Sequence, residues 1–228
     1  MKESIYTIPI NEIFEKKCGC PICSMQTIFE QRSVEYILGA AMMEPDVRQE
    51  TNELGFCERH YVHMLAQKDR LSMGLILESH LEHIKKNILK GKVGLVKSAP
   101  AKKAQKLSDT CFVCDHVHGA MESALNNMLD MYAEKKEFRE LFAEQEAFCI
   151  PHYKLLCEYS EKKLSKDRRN ELIKAATKVS SDYLNSLSKD VTDFCRMFDY
   201  RNSGGNSDWG NAKDSIERAV WFLTSHRE

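Results

Sequence analysis

No stretch of this 228-residue chain is apolar for long enough to cross a bilayer. Its start, Met1-Lys2-Glu3-Ser4-Ile5-Tyr6, lacks both the basic opening and the unbroken apolar core of a secretion signal. A cytoplasmic protein is therefore expected. Charge of one sign is missing too: 33 basic residues face 34 acidic ones, so no global field draws the chain to nucleic acid or to an anionic membrane. Alternating β-branched runs are few, which argues against a sheet. There is no phosphate-binding glycine loop, nucleophile elbow or paired-carboxylate motif, so an enzymatic reading has no catalytic residue to name.

Cysteine, by contrast, is plentiful. There are nine, an odd number, and their grouping as C-x2-C argues against a secreted disulfide framework; a chain with 43% hydrophobic residues can also bury a core without disulfides. In a reducing compartment such cysteines point to metal ligation. Cys20-Pro21-Ile22-Cys23 is followed by Gly55-Phe56-Cys57-Glu58-Arg59-His60, a C-x2-C and then a C-x2-H. The pattern recurs as Cys111-Phe112-Val113-Cys114 and Phe148-Cys149-Ile150-Pro151-His152. The C-x2-C pairs are offset by 91 residues and the C-x2-H pairs by 92, while Tyr61 answers Tyr153 after each histidine.

Read in chain order, Cys20, Cys23, Cys57 and His60 form one quartet and Cys111, Cys114, Cys149 and His152 a second. Each suits one tetrahedral zinc, giving two Zn2+ per chain in closed structural sites with no open position for water or substrate. The alternative metal is iron or an iron–sulfur cluster, because Cys18 adds a third sulfur beside Cys20 and Cys23. Asp109 stands at the corresponding position of the second pattern, so a shared metal should use the quartets alone. Cys18, Cys157 and Cys195 are left over and read as small buried apolar residues.

Helical spacing dominates the remainder. Ile10, Ile13 and Phe14 share a short helical face after Pro9, and Ile22, Phe29, Val34, Ile37, Leu38 and Ala41 continue behind the first cysteine pair. Leu71, Leu75, Leu81, Ile84 and Ile88 suggest a longer helix up to Gly91. Val113, Val117, Met121, Ala124, Met128 and Met131 form a strong amphipathic stripe, and Leu172, Ala176, Val179, Tyr183, Leu187, Val191, Phe194 and Phe198 form another. A last helix from Trp209 to His226 would turn Ala212, Ile216, Ala219, Val220 and Leu223 inward.

The expected fold is all-α, a duplicated helical module of two pseudo-symmetric halves, each with its own Cys3His metal site. Residues 1–90 would form the first repeat, 91–107 a linker or crossover, 108–202 the second repeat, and 203–228 a flexible turn at Ser203-Gly204-Gly205-Asn206-Ser207 with a final helix.

Weaker signals have plainer readings. His80 and His83, with Glu78 and Glu82, read as a solvated helix face rather than a metal site, and His63 as a packing or outer-shell residue behind His60. His116 and His118 have no histidine counterparts in the first pattern, where Met25 and Thr27 stand. The basic pairs Lys85-Lys86, Lys102-Lys103, Lys135-Lys136, Lys162-Lys163 and Arg168-Arg169 are interspersed with acids and read as helix surface rather than a nucleic-acid interface.

Together, the tandem C-x2-C and FC-x2-H elements resemble those of a bacterial family of unknown function. The resemblance covers most of the chain. It implies the repeat and a prokaryotic cytoplasmic setting, and no activity. The functional expectation is a zinc-binding helical scaffold for interaction or ligand binding, with a protein or small-molecule partner. The alternatives are a metal-dependent or thiol-redox enzyme working at one Cys/His site, and a nucleic-acid-binding protein.

Overall fold

The structure, a computed structural model, describes residues 10–89, 99–198 and 209–225. Among these there are eleven α-helices and no strand. In chain order they are α1 (Ile10–Glu15), α2 (Pro21–Leu38), α3 (Pro45–Leu54), α4 (Glu58–Ala66), α5 (Arg70–Ile84), α6 (Ala99–Asp109), α7 (Phe112–Glu134), α8 (Lys136–Ala143), α9 (Ile150–Lys163), α10 (Lys166–Met197) and α11 (Ser215–Thr224). A single π-helical stretch, Lys85–Leu89, follows α5.

Proline sets several of the starts. Pro21 opens α2, Pro45 opens α3 and Pro151 lies in the first turn of α9, positions where its missing N–H has no helical partner to lose. The α10 start is capped by Ser165, whose hydroxyl accepts from the Arg168 N–H, 3.4 Å.

The chain folds as two compact units, Met1–Met25 with Glu122–Glu228, and Gln26–Met121. Their divisions fall inside α2 and inside α7. This differs from the expected split at 91–107. Residues 90–98 lie outside the described residues, and the rest of the expected linker or crossover falls in the exposed helix α6. The Ser203–Ser207 turn also lies outside them.

In the first unit an aromatic chain forms the core. Phe14 lies on Phe138 (ring centroids 5.0 Å) and Phe142 (6.1 Å), and Phe142 continues to Phe148 (4.6 Å) and Tyr132 (5.1 Å). Burying each such ring contributes on the order of 2–3 kcal/mol. The α10 stripe is buried at Leu172, Ala176, Val179 and Leu187, with Ser180 beside them, whereas Tyr183, Val191 and Phe194 are half-buried and Phe198, expected inside, is exposed. The phase of the last helix is different from that expected. Trp221 and Phe222 turn inward against Tyr183 (5.9 and 5.3 Å), leaving Ile216, Val220 and Leu223 exposed. Two large aromatic surfaces outweigh three aliphatic ones in choosing the buried face.

In the second unit α5 buries Ser72, Met73, Ile76 and His80. Leu71 and Leu81, expected inside, are 73% and 61% exposed. The Arg48 guanidinium explains part of this phase: it donates to the Leu75 carbonyl (2.6 Å) and to the Ser79 hydroxyl (3.2 Å), fixing α3 against one side of α5. His80, expected on a solvated face, is a core residue.

Candidate metal centres

All eight predicted ligands fall at helix starts. In the first unit, Cys20 precedes α2 and Cys23 sits in its first turn, while Cys149 is the residue before α9 and His152 lies one turn on. A left-handed turn at Lys17 (φ 46°) and Gly19 (φ 68°) brings the chain from α1 to Cys20. That turn is tied to the segment before Cys149 by three contacts. Lys17 pairs with Glu144, the Gly19 N–H donates to the Glu146 carboxylate, and Gln145 Nε2 donates to the Phe14 carbonyl at 2.8 Å. The Ser180 hydroxyl, donating to the Phe148 carbonyl at 2.9 Å, holds the other flank of Cys149 to α10.

The result is a dense, buried set. Cys149 Sγ lies 3.1 Å and Cys23 Sγ 3.2 Å from His152 Nδ1, with Cys20 Sγ 3.6 Å from the same nitrogen. Cys23 and Cys149 sulfurs are 3.6 Å apart. Cys20, Cys149 and His152 are almost wholly enclosed, at 1%, 0% and 2% exposure.

The second unit repeats this construction with Cys57, His60, Cys111 and Cys114. Gly55 adopts φ 62° and ψ −159°, a region open to glycine, and its carbonyl accepts from the Phe112 N–H at 2.9 Å. Beside it the Thr110 hydroxyl donates to the Leu54 carbonyl, 2.8 Å. These bonds set the Cys57 turn against the start of α7. His60 Nδ1 lies 3.2 Å from both Cys57 Sγ and Cys111 Sγ and 3.5 Å from Cys114 Sγ, and the Cys57 and Cys114 sulfurs are 3.9 Å apart. The Cys114 N–H donates to Cys111 Sγ at 3.5 Å. This centre is more open, since Cys114 is exposed and Cys57 half-buried.

Both sets fit a tetrahedral ion. Zinc at about 2.3 Å from sulfur and about 2.0 Å from nitrogen implies S···S edges of roughly 3.8 Å and S···N edges of roughly 3.5 Å. Within each set all four ligand atoms lie within 4.8 Å of one another. The electrostatics ask for a cation. Cys20 is drawn well below its ordinary pKa: burial works against ionisation, but hydrogen bonds with Cys149, Cys23 and His152 outweigh it. Its neighbours are pushed the other way. Hydrogen bonding with Cys149 and Cys20, then burial, raises Cys23, and Cys149 rises to about 12 chiefly through its hydrogen bond with Cys20. Protein groups alone thus resist a second thiolate beside the first, whereas a divalent ion would offset two of the three negative charges. In the second unit burial, then the Cys111 charge, raises Cys114 to about 12. Burial, then the Arg59 charge, lowers His60 to about 4, which leaves its imidazole neutral and able to coordinate near neutral pH.

The grouping differs from the order of the chain. Cys20 and Cys23 stand with Cys149 and His152, and Cys57 and His60 stand with Cys111 and Cys114. Each C-x2-C is therefore completed by the C-x2-H of the other sequence pattern.

Of the leftover cysteines, Cys18 and Cys195 are exposed and Cys157 half-buried, not the buried fillers expected. His116 stacks on Phe112 (4.1 Å) behind the second centre and lies 3.7 Å from Glu50. Sequence reading passed over Glu30, which is buried and paired with Arg59 next to His60.

Fold and site define an all-helical protein with two Cys/His clusters, each able to hold a metal ion. The chain belongs to a family of unknown function, DUF6062, whose family model matches residues 1–228. No curated protein and no solved structure matches it.

Proposed function

We propose that this is a zinc-stabilised helical scaffold that binds a protein or small-molecule partner, with one structural zinc closed by Cys20, Cys23, Cys149 and His152 and another by Cys57, His60, Cys111 and Cys114. The observation that carries the reading is the convergence, twice, of three sulfurs and one imidazole nitrogen from two helix starts within 4.8 Å. Four protein donors complete a tetrahedron, so each ion ties helix starts together rather than presenting an open position for chemistry. Thiolate ligands need a reducing setting, which favours a cytoplasmic protein.

The test is elemental analysis of protein purified without added metal, together with Cys149→Ser. Two zinc per chain, one lost in the variant along with helical content, are expected. Full retention of zinc and helicity in Cys149→Ser, or iron with sulfide in the native protein, would sink the proposal.

A further inference from the structure

His60 presents Nδ1 to the three sulfurs of its centre, so the nitrogen it has left is Nε2. That atom is fully buried and, among the described residues, has no hydrogen-bond partner. A buried ring nitrogen left unpaired is unfavourable, and a ligand there would relieve it. Glu30, His60 and His63 each offer a donor atom within 4.8 Å of the others. Among the described residues, the hydrogen bonds to the Glu30 carboxylate, from Gln26 (3.0 Å) and from Arg59, fall on Oε1, which leaves Oε2 available. His63 is exposed and lies edge-on to His60, with ring centroids 5.9 Å apart, so the group opens to solvent on one side.

We infer that Glu30, His60 Nε2 and His63 form a further divalent-cation site, with the His60 ring bridging it to the cysteine centre of the second unit. The inference rests on the reading that Cys57, His60, Cys111 and Cys114 hold a metal. Binding replaces the Nε2 proton, which leaves to solvent. Charge then closes without remainder, because two divalent ions, three thiolates, the imidazolate, Glu30 and Arg59 together carry no net charge. Two nitrogens and one carboxylate oxygen suit a borderline ion such as zinc or cobalt(II). Three protein donors leave a coordination position for water or a small anionic ligand, unlike the two closed quartets.

A second observation singles out this place. At the offsets that relate the two sets of motifs, Glu30 and His63 answer to Met121 and Leu155. Polar donors stand around one metal histidine where the other pattern has apolar side chains. A general need to orient a metal-bound histidine would not distinguish the two.

The test is titration of the full-length chain with cobalt(II) or zinc, counting bound ions by native mass spectrometry. Wild type should bind a third ion, more weakly than the first two. The exposed His63→Ala, which leaves both quartets intact, should weaken the third ion at least about 100-fold and keep the other two. Glu30→Gln should do the same. Saturation of wild type at two ions overturns the inference, as does a third ion that survives His63→Ala. A stoichiometry of two in which Glu30→Gln loosens the cysteine-bound ion makes Glu30 a hydrogen-bond acceptor for His60 instead, and also overturns it. Absence of any cysteine-bound ion, read from missing sulfur-to-cobalt charge-transfer absorption, removes the underlying centre as well and marks that failure separately.

Discussion

Cys23→Ser, paired either with Cys149→Ser or with Cys57→Ser, separates the two ways of grouping the ligands. Cys23 Sγ lies 3.6 Å from Cys149 Sγ and 3.2 Å from His152 Nδ1, so Cys23 and Cys149 should hold the same ion and Cys57 the other. A structural zinc with four such ligands stabilises by about 10–16 kcal/mol near neutral pH, so one thiolate accounts for on the order of 3 kcal/mol, or about 100-fold in affinity. A chelator poised between the native and weakened affinities should strip one ion from each single variant. The Cys23/Cys149 double variant acts on a centre already emptied and should keep the second ion. The Cys23/Cys57 double variant should lose both. Native mass spectrometry after chelation reads the count directly. The reverse pattern, one ion kept by Cys23/Cys57 and none by Cys23/Cys149, would refute the exchanged grouping and restore the chain-order one.

Two further outcomes follow from the second unit. A Cβ at Gly55 would stand 3.0 Å from Leu107 Cδ1 and 3.3 Å from His80 Cε1 on a backbone that glycine alone adopts readily. Gly55→Ala should therefore cost about 3 kcal/mol in urea unfolding and release the Cys57/His60/Cys111/Cys114 ion to chelator first. An unchanged release order would show that Gly55 does not position that centre.

His80 is the other case: its Nδ1 is buried without a hydrogen-bond partner among the described residues, and burial is the main force holding its pKa below 6.5. The folded state thus favours the neutral ring. That contribution is full above the ordinary value and is lost as pH falls below it toward the lowered folded one. His80→Gln should flatten the decline of the urea midpoint between about pH 7 and about pH 5 relative to wild type. Ligand protonation is common to both proteins and cancels in the comparison, so parallel curves would exclude a role for His80.

Residue type and short spacing made the clustered cysteines and histidines visible in the sequence, since C-x2-C and C-x2-H each place two side chains within one helical turn. The inward stripe of α10 was also legible from Leu172 to Leu187, because 32 residues give the period many repeats, but not at its far end, where Phe198 is exposed. Which pair joins which was not, for that is set by contacts between residues 51 to 132 positions apart, which no local spacing records. Where helices were short, or mixed leucine with smaller groups, the face was misread: Trp221 and Phe222 set the phase of α11, and Met73, Ile76 and His80 that of α5. A lone glutamate within α2 gives no signal of its own. Comparing Glu30 with Met121 and His63 with Leu155 is the step by which sequence could have found the polar group behind His60.

The exchanged grouping would also give two bound ions different places in the order of synthesis. In the second unit the paired donors stand 51 to 57 residues apart, so its centre can close once Cys114 has emerged. In the first unit they stand 126 to 132 residues apart. Closing the longer loop costs only about 0.8 kcal/mol more entropy, so the larger effect is one of time. At about 5–20 residues per second, Cys20 and Cys23 are made roughly 6–25 seconds before Cys149 and His152. Throughout that interval the first thiols to be synthesised lack their final partners, and the contiguous second unit can already be folded and metallated. Ion uptake on the ribosome would then run from the middle of the chain outward, with the amino-terminal cysteines filled last.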